Sequence, residues 1–401
     1  MLPLKDRCIV LGVTGGIAAY KAADLVSRLK KMGAEVKVIM TRSAMEFVTP
    51  LTFQSLSQNP VAHHMFDEPK SWEIQHISLA QAADVFVVAP CTANVIGKIA
   101  GGIADDLLTT TVMATRAPVL IAPAMNTNMY ENIIVQQNIQ KLSNLGYTFI
   151  EPESGRLACG DTGKGKLAAP ERIADFIRIA AQRPGGDLAG RKILVTAGAT
   201  REALDPVRYL TNHSSGKMGY AVANAAYLRG ADVTLVSGPG NQTALPGITV
   251  IPVTSAMEMY HAVMEHAEQA DAIVKAAAVA DFRPVNPATQ KLKKGKDDIS
   301  EIQLTQNPDI LQALGNTFGG RKIIAGFCME TQDLLLHAAE KLRKKKADLI
   351  VANDLTTSGA GFGTDTNVVT ILDADGTSET LPIMEKEAVA NKLLDKIAAK
   401  L

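Results

Sequence analysis

The chain runs to 401 residues, too long for one ordinary core, so it should hold two or three domains. A hydrophobic fraction of 47% with 20% charged residues is that of a globular enzyme and excludes a disordered chain. The formal net charge of +0 gives no electrostatic case for nucleic acid or an anionic membrane as partner, and no apolar run approaches bilayer length. Residues 1–7 lack a signal-peptide pattern, because charge and the first strand follow at once. Cys8, Cys91, Cys159 and Cys328 are widely separated and form no CxxC, which argues against a disulfide framework or a zinc site. A cytoplasmic chain with reduced thiols is the expectation.

Cys8 to Val13 reads as an apolar strand running into Thr14-Gly15-Gly16-Ile17-Ala18-Ala19-Tyr20-Lys21. A helix to Met32 follows, closed by Gly33, and then a strand from Glu35 to Met40. This is the nucleotide-binding start of a doubly wound α/β sheet, whose Gly15–Ala18 turn offers bare N–H groups to a phosphate. It is not GxGxxG, and the second strand ends in Met40-Thr41-Arg42 with no acid for an adenosine ribose. That counts against NAD and for a mononucleotide such as FMN; a glycine turn kept only for packing is the alternative. The strand Val85 to Ala89 ends in Pro90-Cys91-Thr92-Ala93-Asn94, where small residues and hydroxyls suit a flat heterocycle. Before it, His76 opens a helix, and a lone histidine is more often structural than catalytic.

Pro118 to Ile121 reads as a short buried strand leading into Ala122-Pro123-Ala124-Met125-Asn126-Thr127-Asn128-Met129-Tyr130. Open α/β sheets bind ligands beyond the carboxyl ends of their strands, so Asn126 sits where chemistry is expected. An amide there either holds a carboxylate or merely caps a helix. The stretch Glu151 to Lys166, with four glycines around Cys159, has no periodicity and reads as a mobile lid.

Thr14-Gly15-Gly16-Ile17-Ala18, His76, Ala122 to Tyr130 and Ala158-Cys159-Gly160 together resemble the flavin-dependent cysteine decarboxylases. The resemblance implies FMN on a Rossmann-like domain, held by Gly15, Gly16, Ile17, Ala18, Thr41, Pro90, Thr92 and Asn94. It implies oxidation of the substrate's cysteinyl group to a thioaldehyde, loss of carbon dioxide and return of the electrons. His76 would act in the oxidative half, Asn126 would bind the departing carboxylate beside Met129, and Cys159 would protonate the product enethiolate. Two residues depart from the family pattern. Cys91 replaces the usual serine, and Lys166 an arginine, which would lose bidentate geometry on a carboxylate or phosphate.

The helix Glu171 to Ala181 ends in a Pro- and Gly-rich polar stretch, so residues 1–182 and 191–401 should be two domains joined by a linker at 183–190. Lys192 to Thr200 begins a second strand-to-helix unit. Ser214-Ser215-Gly216-Lys217 before a helix is a hydroxyl-rich N-terminus with a cation, a phosphate seat that is not a Walker A motif. The strand Ala272 to Val274 leads into Lys275-Ala276-Ala277-Ala278-Val279-Ala280-Asp281, where Asp281 can hold a ribose hydroxyl or a metal. Lys291 to Asp298 is a charge run: a solvated loop, or a lysine loop that closes on phosphates.

This half resembles the phosphopantothenate–cysteine ligases in Asp205 to Gly219, in Ala276 to Asp281 and in Lys291-Leu292-Lys293-Lys294. The whole chain is thus similar to the bifunctional phosphopantothenoylcysteine decarboxylase/phosphopantothenate–cysteine ligase family of coenzyme A synthesis, bacterial CTP-dependent type. The resemblance implies 4′-phosphopantothenate, L-cysteine and CTP as substrates, an acyl-cytidylate, and Mg²⁺ bridging the phosphates near Asp281. It implies that Asn212 binds the acyl intermediate, Lys291 stabilises phosphoryl charge, and Arg208 contacts phosphopantothenate. Ser214, Ser215, Gly216, Lys275, Ala276, Ala277, Asp281, Pro308, Asp309, Ile310, Leu311, Phe327, Lys341 and Lys345 would line the substrate and CTP site. Trimer-based dodecamers for the first half and dimers for the second follow from the same resemblance. Two rivals stand beside it: a nicotinamide oxidoreductase, which bound flavin would exclude, and a flavin-binding scaffold without catalysis, against which Cys159, His76 and Asn126 argue.

Overall fold

The computed structural model describes residues 2–66, 74–158, 160–293, 301–330, 334–354 and 364–401. The chain divides into two compact units, Met1–Gln182 and Arg183–Leu401.

In the first unit the strands are β1 (Cys8–Val13), β2 (Glu35–Met40), β3 (Val85–Cys91), β4 (Val119–Pro123) and β5 (Thr148–Phe149). They form a parallel sheet in the order β2-β1-β3-β4-β5. That is the flavodoxin-like order, with its topological switch between β1 and β3. Around it run α1 (Lys21–Lys31), α2 (Arg42–Met45), α3 (Pro50–Ser57), α4 (Gln75–Ala82), α5 (Ala93–Gly101), α6 (Leu107–Ala114), α7 (Thr127–Glu131), α8 (Ile133–Asn144) and α9 (Pro170–Gln182). A short 3₁₀ turn, Ile17–Tyr20, precedes α1. Both faces of the central strands β1, β3 and β4 are buried, so these strands are apolar and alternate between two cores. Ile9, Leu11 and Val13 pack with Leu25, Leu29 and Ile177; Val10, Phe86 and Val88 pack with Ile96 and Leu108.

The stretch 151–166, expected to be a lid without regular structure, contains the paired strands β6 (Glu153–Arg156) and β7 (Thr162–Lys166). It docks on the loop after β4, where the Met125 N–H donates to the Gly165 carbonyl at 3.0 Å. Gly165 has φ +143°, and a Cβ there would collide with the Met125 carbonyl. Gly163 and Gly165 therefore mark a close approach, to Thr127 and Met125, whereas a Cβ on Gly155 or Gly160 would meet nothing nearer than 4.0 Å. Cys159 lies outside the described residues.

In the second unit the strands are β8 (Lys192–Ala197), β9 (Arg201–Ala203), β10 (Tyr209–Thr211), β11 (Asp232–Ser237), β12 (Thr249–Pro252), β13 (Ala272–Lys275), β14 (Phe282–Pro284), β15 (Leu304–Gln306), β16 (Ile323–Glu330), β17 (Leu349–Asp354), β18 (Thr366–Asp373) and β19 (Ser378–Glu385). Its main sheet runs β12-β11-β8-β13-β16-β17-β18-β19, with parallel pairings except the last two, β17 with β18 and β18 with β19. Counted from β8, this is the 3-2-1-4-5-6 Rossmann order with an antiparallel extension. The helices α10 (Lys217–Leu228) and α14 (Lys386–Ala398) cover one face. The other carries α11 (Ala256–Ala267), α12 (Ile310–Phe318) and α13 (Leu334–Lys345).

The stretch read as a linker, 183–190, is no free tether but part of this unit. Arg183 donates to the carbonyls of Tyr227 (3.0 Å) and Ala231 (2.9 Å) and lies over the Tyr227 ring. Leu188 is buried, and Arg229 pairs with Asp187. Pro- and Gly-rich composition does not distinguish a solvated tether from a packed one. Among the described residues no helix is long and apolar enough to cross a membrane.

Candidate active sites

The turn after β1 and the turn after β3 are joined by one buried side chain. The Thr14 hydroxyl donates to the Pro90 carbonyl (2.8 Å) and accepts the Thr92 N–H (3.0 Å). Gly15 lies so close to Ser43 that a Cβ would overlap it, whereas a Cβ on Gly16 would meet nothing nearer than 3.9 Å. The backbone of Gly16 therefore stands open at the mouth of a cavity of about 450 Å³, within the ~300–1,000 Å³ common for cofactor sites. Gly15, Gly16, Ile17, Ala18, Thr92, Asn126 and Met129 all line it, among the residues expected from sequence. Pro90 and Thr41 sit in the framework beneath: the Pro90 carbonyl takes the Thr14 hydroxyl, and the Thr41 hydroxyl caps α2. Asn94 is exposed on α5, and His76 is half-buried near the start of α4; neither is among the lining residues.

Sequence reasoning missed Lys21 and Arg156, which add cations to the rim. Alternation along β6 is the signal that would have found Arg156. Lys166 also lines the cavity, and its ammonium lies 3.5 Å from Glu153. Cys91 is fully buried, and burial pushes its thiol far above the ordinary range, so it is an inert part of β3.

Asn126 caps a helix, as one of its two readings expected, and its amide also meets a carboxylate of the chain itself. Its Oδ1 accepts the Asn128 N–H at 2.9 Å and caps α7, so its Nδ2 is turned outward, where it donates to Asp161 at 2.9 Å.

The second unit repeats the tie across its switch point. The buried Thr196 hydroxyl, at the end of β8, accepts the N–H groups of Ala276 and Ala277, each at 3.1 Å, in the loop after β13. Ala276 and Ala277 thus spend their donors inside the turn and do not line the neighbouring cavity. That cavity, about 280 Å³, is lined by Lys275, Asp281, Pro308, Asp309, Ile310, Leu311, Phe327 and Lys341. Lys345 stands one step behind, paired with Asp309 at 2.6 Å. Burial lowers Lys275 to about 8, with the nearby Lys341 charge pushing the same way, and its ammonium donates to the Ala277 carbonyl. Burial raises Asp309, but the Lys345 bond and the Gln312 N–H outweigh it and hold the carboxyl low.

Around the rim, Asn212 donates to the carbonyls of Ala278 (3.4 Å) and Val279 (3.3 Å). Gly216 takes φ +76° at the head of α10, pressed against the Gly198 backbone; Ser214 accepts its N–H. Ser215 lies between them on the same turn. Arg208 binds Asp205 (3.0 Å from Nε) and the Leu292 carbonyl, while Asp205 also accepts the Leu292 N–H. The pair therefore anchors the segment that carries Lys291, and the Arg208 guanidinium holds Asp205 well below the usual carboxylate range. Lys291 is exposed; Lys294 lies outside the described residues. The Thr196 tie was not foreseen, because a single threonine ending a strand is ordinary.

Residues 3–182 match the family model described as Flavoprotein, and residues 188–401 match the DNA/pantothenate metabolism flavoprotein C-terminal domain. The Coenzyme A biosynthesis bifunctional protein CoaBC of Bacillus subtilis (strain 168) is 50% identical over 398 residues, 99% of this chain and 98% of that protein. Its namesake from Escherichia coli (strain K12) is 42% identical over 401 residues, 100% and 98% of the two. Among solved structures, the C-terminal domain of a CoaBC protein is 39% identical and covers 54% of this chain and 98% of that one, at a TM-score of 0.47. A mutant PPC decarboxylase complexed with pantothenoylaminoethenethiol is 34% identical and covers 44% and 98%, at a TM-score of 0.40. With two domain models in series and full-length relatives at this identity, the chain belongs to the family of Coenzyme A biosynthesis bifunctional proteins CoaBC.

Proposed function

We propose that the second unit joins L-cysteine to 4′-phosphopantothenate at the expense of CTP, and that the first unit removes the carboxyl group from the product with FMN, giving 4′-phosphopantetheine. The observation that carries this is a pair of switch-point cavities of opposite character in one chain: one apolar beside an open glycine turn, one lined by lysines and aspartates.

The first cavity fits FMN in size, in the bare backbone of Gly16 and in the small residues Thr92, Ala93 and Ala124. When bound there, the flavin supplies reversible two-electron oxidation of the substrate's thiol-bearing carbon. The Gly16–Ala18 turn takes the phosphate at the start of a helix. Asn126 donates Nδ2 to the substrate carboxylate, and Met129 covers the same wall. Cys159 is assigned the proton that converts the enethiolate to product thiol.

In the second cavity Lys275 and Lys341 face the polyphosphate, and the Ser214–Gly216 turn provides a second anion seat. Lys291 neutralises charge as pyrophosphate leaves, and Asn212 holds the acyl-cytidylate while the cysteine amine attacks. Mg²⁺ would take oxygen donors from the phosphates and Asp281, since Asp309 is engaged by Lys345 and by the α12 cap. The same reading carries a homo-oligomer, which sizing of the purified protein checks.

One assay tests the whole sequence. Supplied with phosphopantothenate, cysteine, CTP and Mg²⁺, the full chain should release pyrophosphate and carbon dioxide in equal amounts. Pyrophosphate alone would remove the assignment of the first unit, and neither product would remove both.

A further inference from the structure

The hydrogen bond between Asn126 and Asp161 sets an acidic side chain on an amide that lines the cavity of the first unit. Its geometry is imposed from several sides. The Asp161 carbonyl accepts the Leu157 N–H (2.8 Å), and the Gly160 N–H donates to the Leu157 carbonyl (3.0 Å), so the backbone of both residues is tied to Leu157. Thr162 then pairs with Arg156, and the Gly165 carbonyl takes the Met125 N–H next to Asn126. Gly163 and Gly165 let the strand lie where any Cβ would meet Thr127 or Met125. On the other side, the capping bond to Asn128 fixes which way the Asn126 amide faces.

We propose that Asp161 is the resident anion of the Asn126 clamp, and that the substrate carboxylate must displace it to bind. The inference rests on reading Asn126 as the carboxylate clamp. The Asn126 amide nitrogen carries two N–H groups, but two ionised carboxylates bonded to one nitrogen lie so close that each disfavours the other's ionised form. Substrate therefore binds at the cost of the Asn126–Asp161 bond. Once carbon dioxide has left, the amide has no partner in the ligand and Asp161 returns. Asp161 is thus a specificity-determining residue that weakens binding of the carboxylated ligand and leaves the decarboxylated one untouched, biasing the site toward product release.

The test uses the FMN-loaded full chain and a matched pair of unreactive ligands: phosphopantothenoylserine, which carries the carboxylate, and phosphopantothenoylethanolamine, which lacks it. The readout is the ratio of their dissociation constants by titration. Asp161→Asn keeps the shape and removes the charge, and should shift the ratio toward the carboxylated ligand by about tenfold, the scale of one charged hydrogen bond. Asp161→Ser should shift it the same way and serves if the asparagine variant loses its flavin. Asn126→Asp keeps the capping oxygen, removes the donor, and should abolish any preference for the carboxylate. An unchanged ratio in both Asp161 variants, with Asn126→Asp still effective, overturns the proposal alone. No effect of Asn126→Asp overturns the clamp reading together with it.

Discussion

In the first unit the hydroxyl of Thr14 reaches from the end of β1 to the loop after β3; in the second, that of Thr196 reaches from β8 to the loop after β13. Each crosses the point where strand order reverses, and each cavity opens beside the crossing. The units differ in what the tie leaves free. Thr14 takes one N–H and leaves the neighbouring glycine turn open, which suits a flat ring with one phosphate. Thr196 takes two N–H groups and closes its own turn, so anions must be met by side chains, and lysines supply them. One solution to crossing a switch point thus gives a backbone site in one unit and a side-chain site in the other.

The sharpest way to break that comparison is to remove each hydroxyl. A buried N–H left without a partner costs about 1–3 kcal/mol. Thr196→Val strands two donors and should cost about 2–6 kcal/mol of unfolding free energy, with pyrophosphate release lost by more than about a hundredfold. Thr14→Val strands one donor and should cost about 1–3 kcal/mol, seen as weaker flavin retention. Denaturant unfolding of both variants decides it. A larger loss in Thr14→Val would mean that the first turn, not the second, depends on its tie.

How much of this was legible in the chain follows the same contrast. Both strand-to-turn starts were legible, because apolar runs ending in Thr, Gly and Ala at Thr14–Ala18 and at Thr196–Thr200 are local signals. Asn126 was legible because it follows a strand end. Strand order was not: β2-β1-β3 in one sheet and β12-β11-β8 in the other arise from pairings between distant segments that leave no local pattern. The strands within 153–166 were not legible because glycine has low β propensity. They form because Gly165 can dock on Met125, a contact no window of sequence contains. Packing of Arg183 and Leu188 was hidden for the same reason. Asp161 drew no notice beside Cys159, since its meaning appears only once Asn126 stands opposite.

The second prediction concerns the side-chain site alone. Lys275, lowered to about 8 from 10.5, loses its charge well before an exposed lysine does. As pH rises through about 8 the cavity loses a cation, so KM for CTP should climb several-fold, with a midpoint near 8 on a pH profile of pyrophosphate release. Stability moves oppositely. The unfolded chain holds that proton up to 10.5 while the folded chain gives it up near 8, so the unfolded state binds more protons across this window and the ligand-free protein gains stability as pH rises. Lys275→Met should start at the high KM and show neither trend. A wild-type KM that stays flat between pH 7 and 9 would remove Lys275 from the polyphosphate site.

The smallest expected effect returns to the first unit. Lys166 faces Glu153 at 3.5 Å in a partly exposed pair, which is worth ~0–1 kcal/mol. Glu153 is already oriented by the Ala169 N–H at 2.9 Å, so little is gained by ordering it further. Lys166→Arg adds a planar fork that can meet the carboxylate with two bonds. It should raise the midpoint of thermal unfolding by no more than about 2 °C, with KM for the decarboxylated substrate's precursor changed by less than about threefold. A rise in flavin or substrate affinity beyond that range would mean that the cation at 166 works across the cavity it lines rather than on Glu153.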